Sequence, residues 1–173
     1  QMIAAMDLKP GDRVLDCTFG LGHDGLVAAY AVGEKGRVLG LESSPVIAAV
    51  VRYGMDIYSG GSKLIREAMG RIALHQADHR AFLTALPPRS YDVVYLDPMF
   101  ASPLTRSSAI NALRPLADHR PVTPEVIALA LKVAGKRVVI KDNRRGESLR
   151  RLGIANLTGG KSSSVVYGVL PAR

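Results

Sequence analysis

The sequence predicts an α/β fold, an open and mostly parallel sheet with helices on both faces, finished by a C-terminal antiparallel hairpin. Three observations lead there. Short apolar, β-branched runs alternate with helix-length segments along most of the chain. A glycine-rich turn, Gly20-Leu21-Gly22-His23-Asp24-Gly25, joins the first such run to the first helix. An acid stands at or just after each of the first four strand-like runs, at Asp16, Glu42, Asp78 and Asp97.

Each element has a local signal. Residues 2–8 read as a short helix or lead-in, closed by the turn Lys9-Pro10-Gly11-Asp12. Strand one is expected over 13–16, and the helix after the glycine loop over 26–32, stopped by Gly33. Glu34-Lys35-Gly36 turns the chain into strand two, 37–42. Ser44-Pro45 supplies a cap and a proline at the first helical position for a helix from 46 to about 58, broken by Gly60-Gly61. Residues 62–69 add another turn or two of helix, and strand three follows at 71–75. A short helix at 80–86 stops at Pro87-Pro88, and strand four, 91–96, runs into Asp97-Pro98-Met99-Phe100. A long polar loop passes Arg106, Arg114 and Arg120, with a short helix expected around Ile110. Thr123-Pro124-Glu125 caps a helix over 126–134 that Gly135 ends, and strand five is expected at 137–141. Apolar pieces at 154–157 and 165–170, around Gly159-Gly160, read as a hairpin near the substrate mouth.

Length and composition narrow the function. With 173 residues and no repeats, one domain over 1–173 is expected, large enough to bury ~70% of its unfolded surface. Cys17 stands alone, which excludes an internal disulfide framework, fits a reducing cytoplasmic setting and reads as a packing residue. No apolar run approaches the roughly 18 residues of a membrane span, so no membrane partner is expected. The chain begins at Gln1, without a signal-peptide pattern and with room for a further native segment before it. The net charge is +8, and seven basic residues (Lys136, Arg137, Lys141, Arg144, Arg145, Arg150 and Arg151) crowd one stretch beside Asp142 and Glu147. A stripe of that kind concentrates a polyanion such as RNA near the surface; its plain alternative is a solvated face.

The glycine loop fits two patterns at once. Gly20-x-Gly22-x-x-Gly25, with Glu42 where a ribose-binding acid belongs, matches a dinucleotide fingerprint. An acid, three residues and Gly-x-Gly, from Asp16 to Gly22, resembles motif I of the class I S-adenosylmethionine (SAM) methyltransferases. Asp16 and Asp24 flank the loop with carboxylates, which oppose a pyrophosphate and suit a ligand carrying a sulfonium and an ammonium. The plain alternative has both acids satisfying backbone donors, with Asp24 capping the helix.

Ligands of open α/β sheets sit outside the carboxyl ends of the strands, where the four acids stand. Glu42 is expected to accept both ribose hydroxyls, Asp78 the exocyclic amine of adenine, and Asp16 faces the ammonium. Singly, such acids are common caps and turn formers. Asp97 and the Pro98 carbonyl suit the task of holding the N–H groups of an amine, and Phe100 that of stacking on a base turned out of its helix.

Three segments carry a resemblance to a known family. Asp16-Cys17-Thr18-Phe19-Gly20-Leu21-Gly22-His23-Asp24, Leu41-Glu42-Ser43-Ser44-Pro45-Val46 and Val93-Val94-Tyr95-Leu96-Asp97-Pro98-Met99-Phe100 are similar, in order and spacing, to the RsmJ-type ribosomal RNA (guanine exocyclic amine) methyltransferases. They look closer still to a group of Gram-positive bacterial SAM-dependent methyltransferase-like proteins. The resemblance runs from about residue 8 to 170. It implies the Rossmann-like class I methyltransferase fold, SAM as cofactor, and a cofactor site holding His23, Asp24, Glu42, Ser43, Asp78, His79 and Asp97. His23 stands where an arginine is usual, and Met99 replaces the second proline of the broader amino-methyltransferase signature. An additional N-terminal region of the RsmJ-type enzymes has no counterpart in this sequence.

Other local signals are weaker. Gly159-Gly160-Lys161-Ser162 resembles a phosphate-binding loop, but Ala155 replaces its first glycine. His75, His79 and His119 lack metal-ligand spacing, and no metal is expected. The expected activity is therefore transfer of a methyl group from SAM to a guanine amine in RNA, with Asp97, Pro98 and Phe100 aligning the nucleophile and Asp16, Gly20 and Gly22 completing the cofactor cradle. The alternatives are a methyltransferase acting on a small molecule or a protein, and a SAM- or RNA-binding module without catalysis. A nicotinamide-dependent oxidoreductase ranks last, because no Tyr-x-x-x-Lys is present.

Overall fold

The computed structural model describes residues 1–98, 114–160 and 163–172. The described residues form a seven-stranded sheet in the order β3-β2-β1-β4-β5-β7-β6. Its strands are β1 Arg13–Asp16, β2 Arg37–Glu42, β3 Ile72–Gln76, β4 Tyr91–Leu96, β5 Ala134–Asn143, β6 Leu157–Thr158 and β7 Val165–Pro171. The first five are parallel, whereas β7 runs antiparallel to both β5 and β6. The helices are α1 Met2–Met6, α2 His23–Ala31, α3 Pro45–Ile57, α4 Lys63–Met69, α5 His79–Ala85, α6 Pro124–Val133 and α7 Glu147–Arg151. A 3-10 turn, Arg114–Leu116, precedes α6.

Burial on both faces explains the apolar strands. Val14, Val93, Tyr95 and Val139 join Met6, Ala28 and Val32 in the core on one side. Their neighbours Leu15, Val94, Leu96 and Ile140 join Leu83, Ala130 and Leu149 on the other. Strand order reverses between β1 and β4, and a crevice opens where two adjacent strands send their helices to opposite faces. Asp16 and Asp97 lie there, since Asp16 is level with Tyr95.

The elements begin where local chemistry starts them. Ser44 and Ser62 accept hydrogen bonds from Ile47 N and Ile65 N, opening α3 and α4. Thr123 opens α6 in the same way. α2 starts at His23, a turn earlier than its apolar residues suggest, because Gly22 takes a left-handed φ of 78° as its N-cap. β5 begins at Ala134, so Gly135 lies inside a strand and does not end the helix. It lies beside the register shift between Tyr91 and Val93 of β4, and a Cβ there would meet Tyr91 O at 3.4 Å, the edge of ordinary contact. The C-terminal pairing is shorter on one side than expected, with only Leu157–Thr158 against β7. The expected helix around Ile110 lies outside the described residues.

The basic stretch does not form one stripe. Lys136 bridges to Asp12, and Arg137 pairs with Asp7 at 3.1 Å and with the Ala5 carbonyl, all at the N-terminal end of β5. Lys141 turns inward, while Arg144, Arg145, Arg150 and Arg151 lie beyond the strand's other end, on or beside α7. Seven residues of strand, about 23 Å, separate Arg137 from Arg144. Of this stretch, Lys141 and the distal group share an edge with the strand-end acids, and Lys136 and Arg137 do not. No helix among the described residues is long and apolar enough to cross a membrane.

Candidate functional site

The site grows from the turn between β1 and α2. Phe19 N donates to Leu41 O at 2.9 Å, which ties the turn to β2. The Phe19 ring then fills a slot walled by glycines: a Cβ on Gly22, Gly25 or Gly40 would lie 2.7, 2.3 or 2.2 Å from ring atoms. Two glycines of the Gly-x-Gly-x-x-Gly pattern are thus consumed in housing a side chain, and not in admitting a pyrophosphate. Gly20 and Gly22 also carry positive φ, 52° and 78°, which β-carbon-bearing residues seldom adopt.

Glu42 straps this turn to the start of α3. Its Oε2 accepts Gly20 N at 3.1 Å and its Oε1 accepts Ser44 N at 2.7 Å. A carboxylate offers about four acceptor positions, so both oxygens retain capacity toward the cavity. Asp16, buried at the end of β1, accepts Thr18 N at 3.0 Å. Burial pushes its carboxyl up to about 8, against the Thr18 hydrogen bond and with the nearby charges of Asp97 and Asp24 adding to the rise.

Beside Asp16 lies a hydrogen-bonded cluster drawn from three elements. Lys141 Nζ donates to Asp24 Oδ2 and Asp97 Oδ2, both at 2.8 Å. Tyr95 Oη donates to the same Asp24 oxygen at 2.6 Å, and Asp97 N donates to Thr18 Oγ1 at 2.6 Å. Burial pushes Asp97 up to about 6 while Lys141 pulls it back, and Asp24 adds to the rise. Burial also opposes the charge on Lys141, but Asp97 and Asp24 outweigh it and hold the ammonium protonated. Two carboxylates therefore share one ammonium, with the buried carboxyl of Asp16 beside them.

A cavity of about 230 Å³ opens over this arrangement. Of the residues expected from sequence, Asp16, Gly20, Gly22, His23, Asp24, Glu42, Ser43, His79, Asp97 and Pro98 line it together. Cys17 lines it too and is buried, in keeping with a packing role. Asp24 does not cap α2, whose N-cap makes no side-chain hydrogen bond. Asp78 is absent from the lining: its Oδ1 caps α5 through Arg80 N and Ala81 N, and its Oδ2 accepts Arg120 Nη2. A strand-end acid that is also the last residue before a helix is drawn to the orphan amides there. Phe100 lies outside the described residues.

His79, 6% exposed, faces the cavity with its Nε2 lacking any hydrogen-bond partner among the described residues. Burial, and then Arg80, lower its pKa, so the imidazole is neutral near pH 7. Sequence reasoning missed Thr18, Tyr95, Lys141 and the segment carrying Asp118 and Arg120, which closes another side of the cavity. Lys141 stands near the end of β5, so the strand-end rule applied to bases would have found it. Tyr95 carries no local signal, reading as one more buried strand residue.

Comparison with known proteins agrees with this architecture. A family model described as "Putative SAM-dependent methyltransferase" matches residues 1–165. The chain is 38% identical over 169 residues to "Uncharacterized protein YpiP" of Bacillus subtilis (strain 168), covering 98% of this chain and 65% of that protein. It is 38% identical over 154 residues to "Ribosomal RNA small subunit methyltransferase J" of Thioalkalivibrio sulfidiphilus, covering 84% of this chain and 58% of that protein. The chain thus spans less than two thirds of the length of these two relatives. Among solved structures, the fold resembles that of an RNA methyltransferase from Salinibacter ruber in complex with S-adenosyl-L-homocysteine, with a TM-score of 0.55, 18% identity, and coverage of 99% of this chain and 89% of that one. With residues 1–165 matched and the strand-end cavity in place, the chain belongs to the SAM-dependent methyltransferase family.

Proposed function

We propose that this chain binds SAM in the strand-end cavity and transfers its methyl group to a guanine exocyclic amine in ribosomal RNA. The observation that carries the reading is the charge balance of the cavity, whose lining sets five carboxyl groups (Asp16, Asp24, Glu42, Asp97 and Asp118) against the two cations Lys141 and Arg120. The surplus of carboxyl groups favours a cationic ligand and opposes a pyrophosphate.

The residues present fit SAM. Glu42 suits the ribose hydroxyls, with Gly20 N and Ser44 N already fixing its carboxylate. The orphaned Nε2 of His79 suits a polar edge of the adenine, a role that Asp78, spent on its cap, does not fill. Asp16 and Asp24 suit the ammonium and sulfonium end. When bound, SAM supplies a methyl carbon made electrophilic by positive sulfur. The protein's part is then mainly placement. Asp97 and the Pro98 carbonyl, at the end of β4, are the acceptors that would hold the amine N–H groups and turn the nitrogen lone pair toward the cofactor.

The RNA assignment draws on the relatives named as ribosomal RNA methyltransferases and on the arginines around α7, on the same edge as the acids. Incubation of tritiated SAM with small ribosomal subunits from cells lacking this gene tests it. Label is expected in the small-subunit RNA, lost after nuclease treatment. Label confined to small molecules or protein would refute the RNA assignment, and binding of SAM without transfer to any fraction would refute catalysis.

A further inference from the structure

We propose that Lys141 is a positioning residue for the transfer, clamping one oxygen of Asp97 so that the other stays available as a charged acceptor for the amine. The inference rests on the methyltransferase reading and deepens it. Lys141 follows Ile140, which is level with Leu96, so the lysine, still within β5, lies beside Asp97 just past the end of β4. The lysine side chain is only 18% exposed, and its ammonium lies 2.8 Å from Asp97 Oδ2 and 2.8 Å from Asp24 Oδ2. Thr18 fixes the Asp97 backbone at the same time. Asp97 is thereby held at two points, while its Oδ1 accepts no hydrogen bond among the described residues.

The clamp matters because of what surrounds Asp97. Asp16 faces it from β1, Asp24 from α2, Tyr95 from its own strand, Lys141 from β5 and Tyr167 from β7. Lys141 supplies the positive charge among them. Without it, a carboxyl group buried between two others takes up a proton, and a protonated Oδ becomes a donor facing the N–H groups it has to accept. A lysine with a purely structural role would make no such demand.

The test pairs a titration with a rate profile. Carboxyl carbon NMR of aspartate-labelled protein follows Asp97 in the free wild-type protein and in Lys141→Gln, while kcat for methyl transfer at saturating SAM is measured from pH 5 to 9. Wild-type Asp97 is expected to titrate at about 6. In Lys141→Gln the midpoint is expected to rise by about two pH units. On that shift kcat falls roughly tenfold at pH 7 and recovers by pH 9, while Lys141→Arg keeps the wild-type profile. If Lys141→Gln does not fold, Lys141→Gln/Asp24→Asn removes one charge of each sign, and its Asp97 midpoint is expected within a pH unit of wild type. An unmoved midpoint in Lys141→Gln, a loss of rate equal at every pH, or a double variant shifted upward by two units would overturn the proposal. A wild-type protein that transfers no methyl group at any pH counts against the methyltransferase reading instead, and the NMR midpoints still decide the clamp.

Discussion

Replacing Asp16 with asparagine is expected to shift the stability of the free protein in the variant's favour as pH rises from about 4 to about 8. The folded protein holds the Asp16 proton up to about 8, whereas the unfolded chain releases it near the ordinary 3.8. Below about pH 4 both states are protonated and the group contributes nothing to the balance. Between 4 and 8 the unfolded chain ionises while the folded one does not, so wild-type stability falls by up to about 1.4 kcal/mol per pH unit. Above 8 both are ionised and the loss is complete. At pH 7 it reaches roughly 4 kcal/mol, or roughly 8–16 °C in Tm for a chain of this size. Asparagine keeps an oxygen for Thr18 N and does not titrate. Its unpaired amide costs about 1–3 kcal/mol at every pH. Urea unfolding of both proteins, followed by circular dichroism at pH 4, 5.5, 7 and 8.5, isolates the titrating part as the change in their difference. The difference is expected to move in favour of Asp16→Asn by about 4 kcal/mol between pH 4 and 7. A difference flat to within about 1 kcal/mol would show that Asp16 ionises freely and would refute the reasoning.

The same buried proton predicts that binding a cation expels it: calorimetry of SAM binding at pH 7, in buffers of unlike ionisation enthalpy, should show release of about one proton, and none from Asp16→Asn. Gly40→Ala should lower stability by about 1–3 kcal/mol, since its Cβ would sit 2.2 Å from the Phe19 ring; the cost should largely vanish in a Phe19→Ala background, as a double-mutant cycle in urea would read. Asp97→Asn is expected to leave SAM affinity within a few-fold and to cut kcat by roughly 10²–10³, and a fully active variant would remove Asp97 from the reacting end of the site.

Much of the architecture was legible because its signals are local. The bounds of β1, β2 and β4 follow from turn residues and apolar runs, and the caps at Ser44 and Thr123 from single side chains next to proline. The misreadings share a cause, which is that one residue type serves two purposes. Gly135 reads as a helix stop but lies inside β5, and Asp78 reads as a ligand acid but caps α5. The spacing of the loop glycines also fitted a dinucleotide fingerprint, because the ring that fills their slot is brought there by tertiary packing. Lys141 was counted with a basic stripe, since nothing in a run of charges marks the member that turns inward. Once β5 lies beside β4, two aspartates 2.8 Å from its ammonium account for that turn.

Calorimetric titration of the wild-type protein and of Glu42→Ala with SAM, and with NAD in parallel, tests the central assignment most directly. The acid-lined cavity predicts one SAM per chain, no heat from NAD, and a loss of at least tenfold in SAM affinity when the Glu42 carboxylate is removed. Tighter binding of NAD, or SAM affinity indifferent to Glu42, would contradict it.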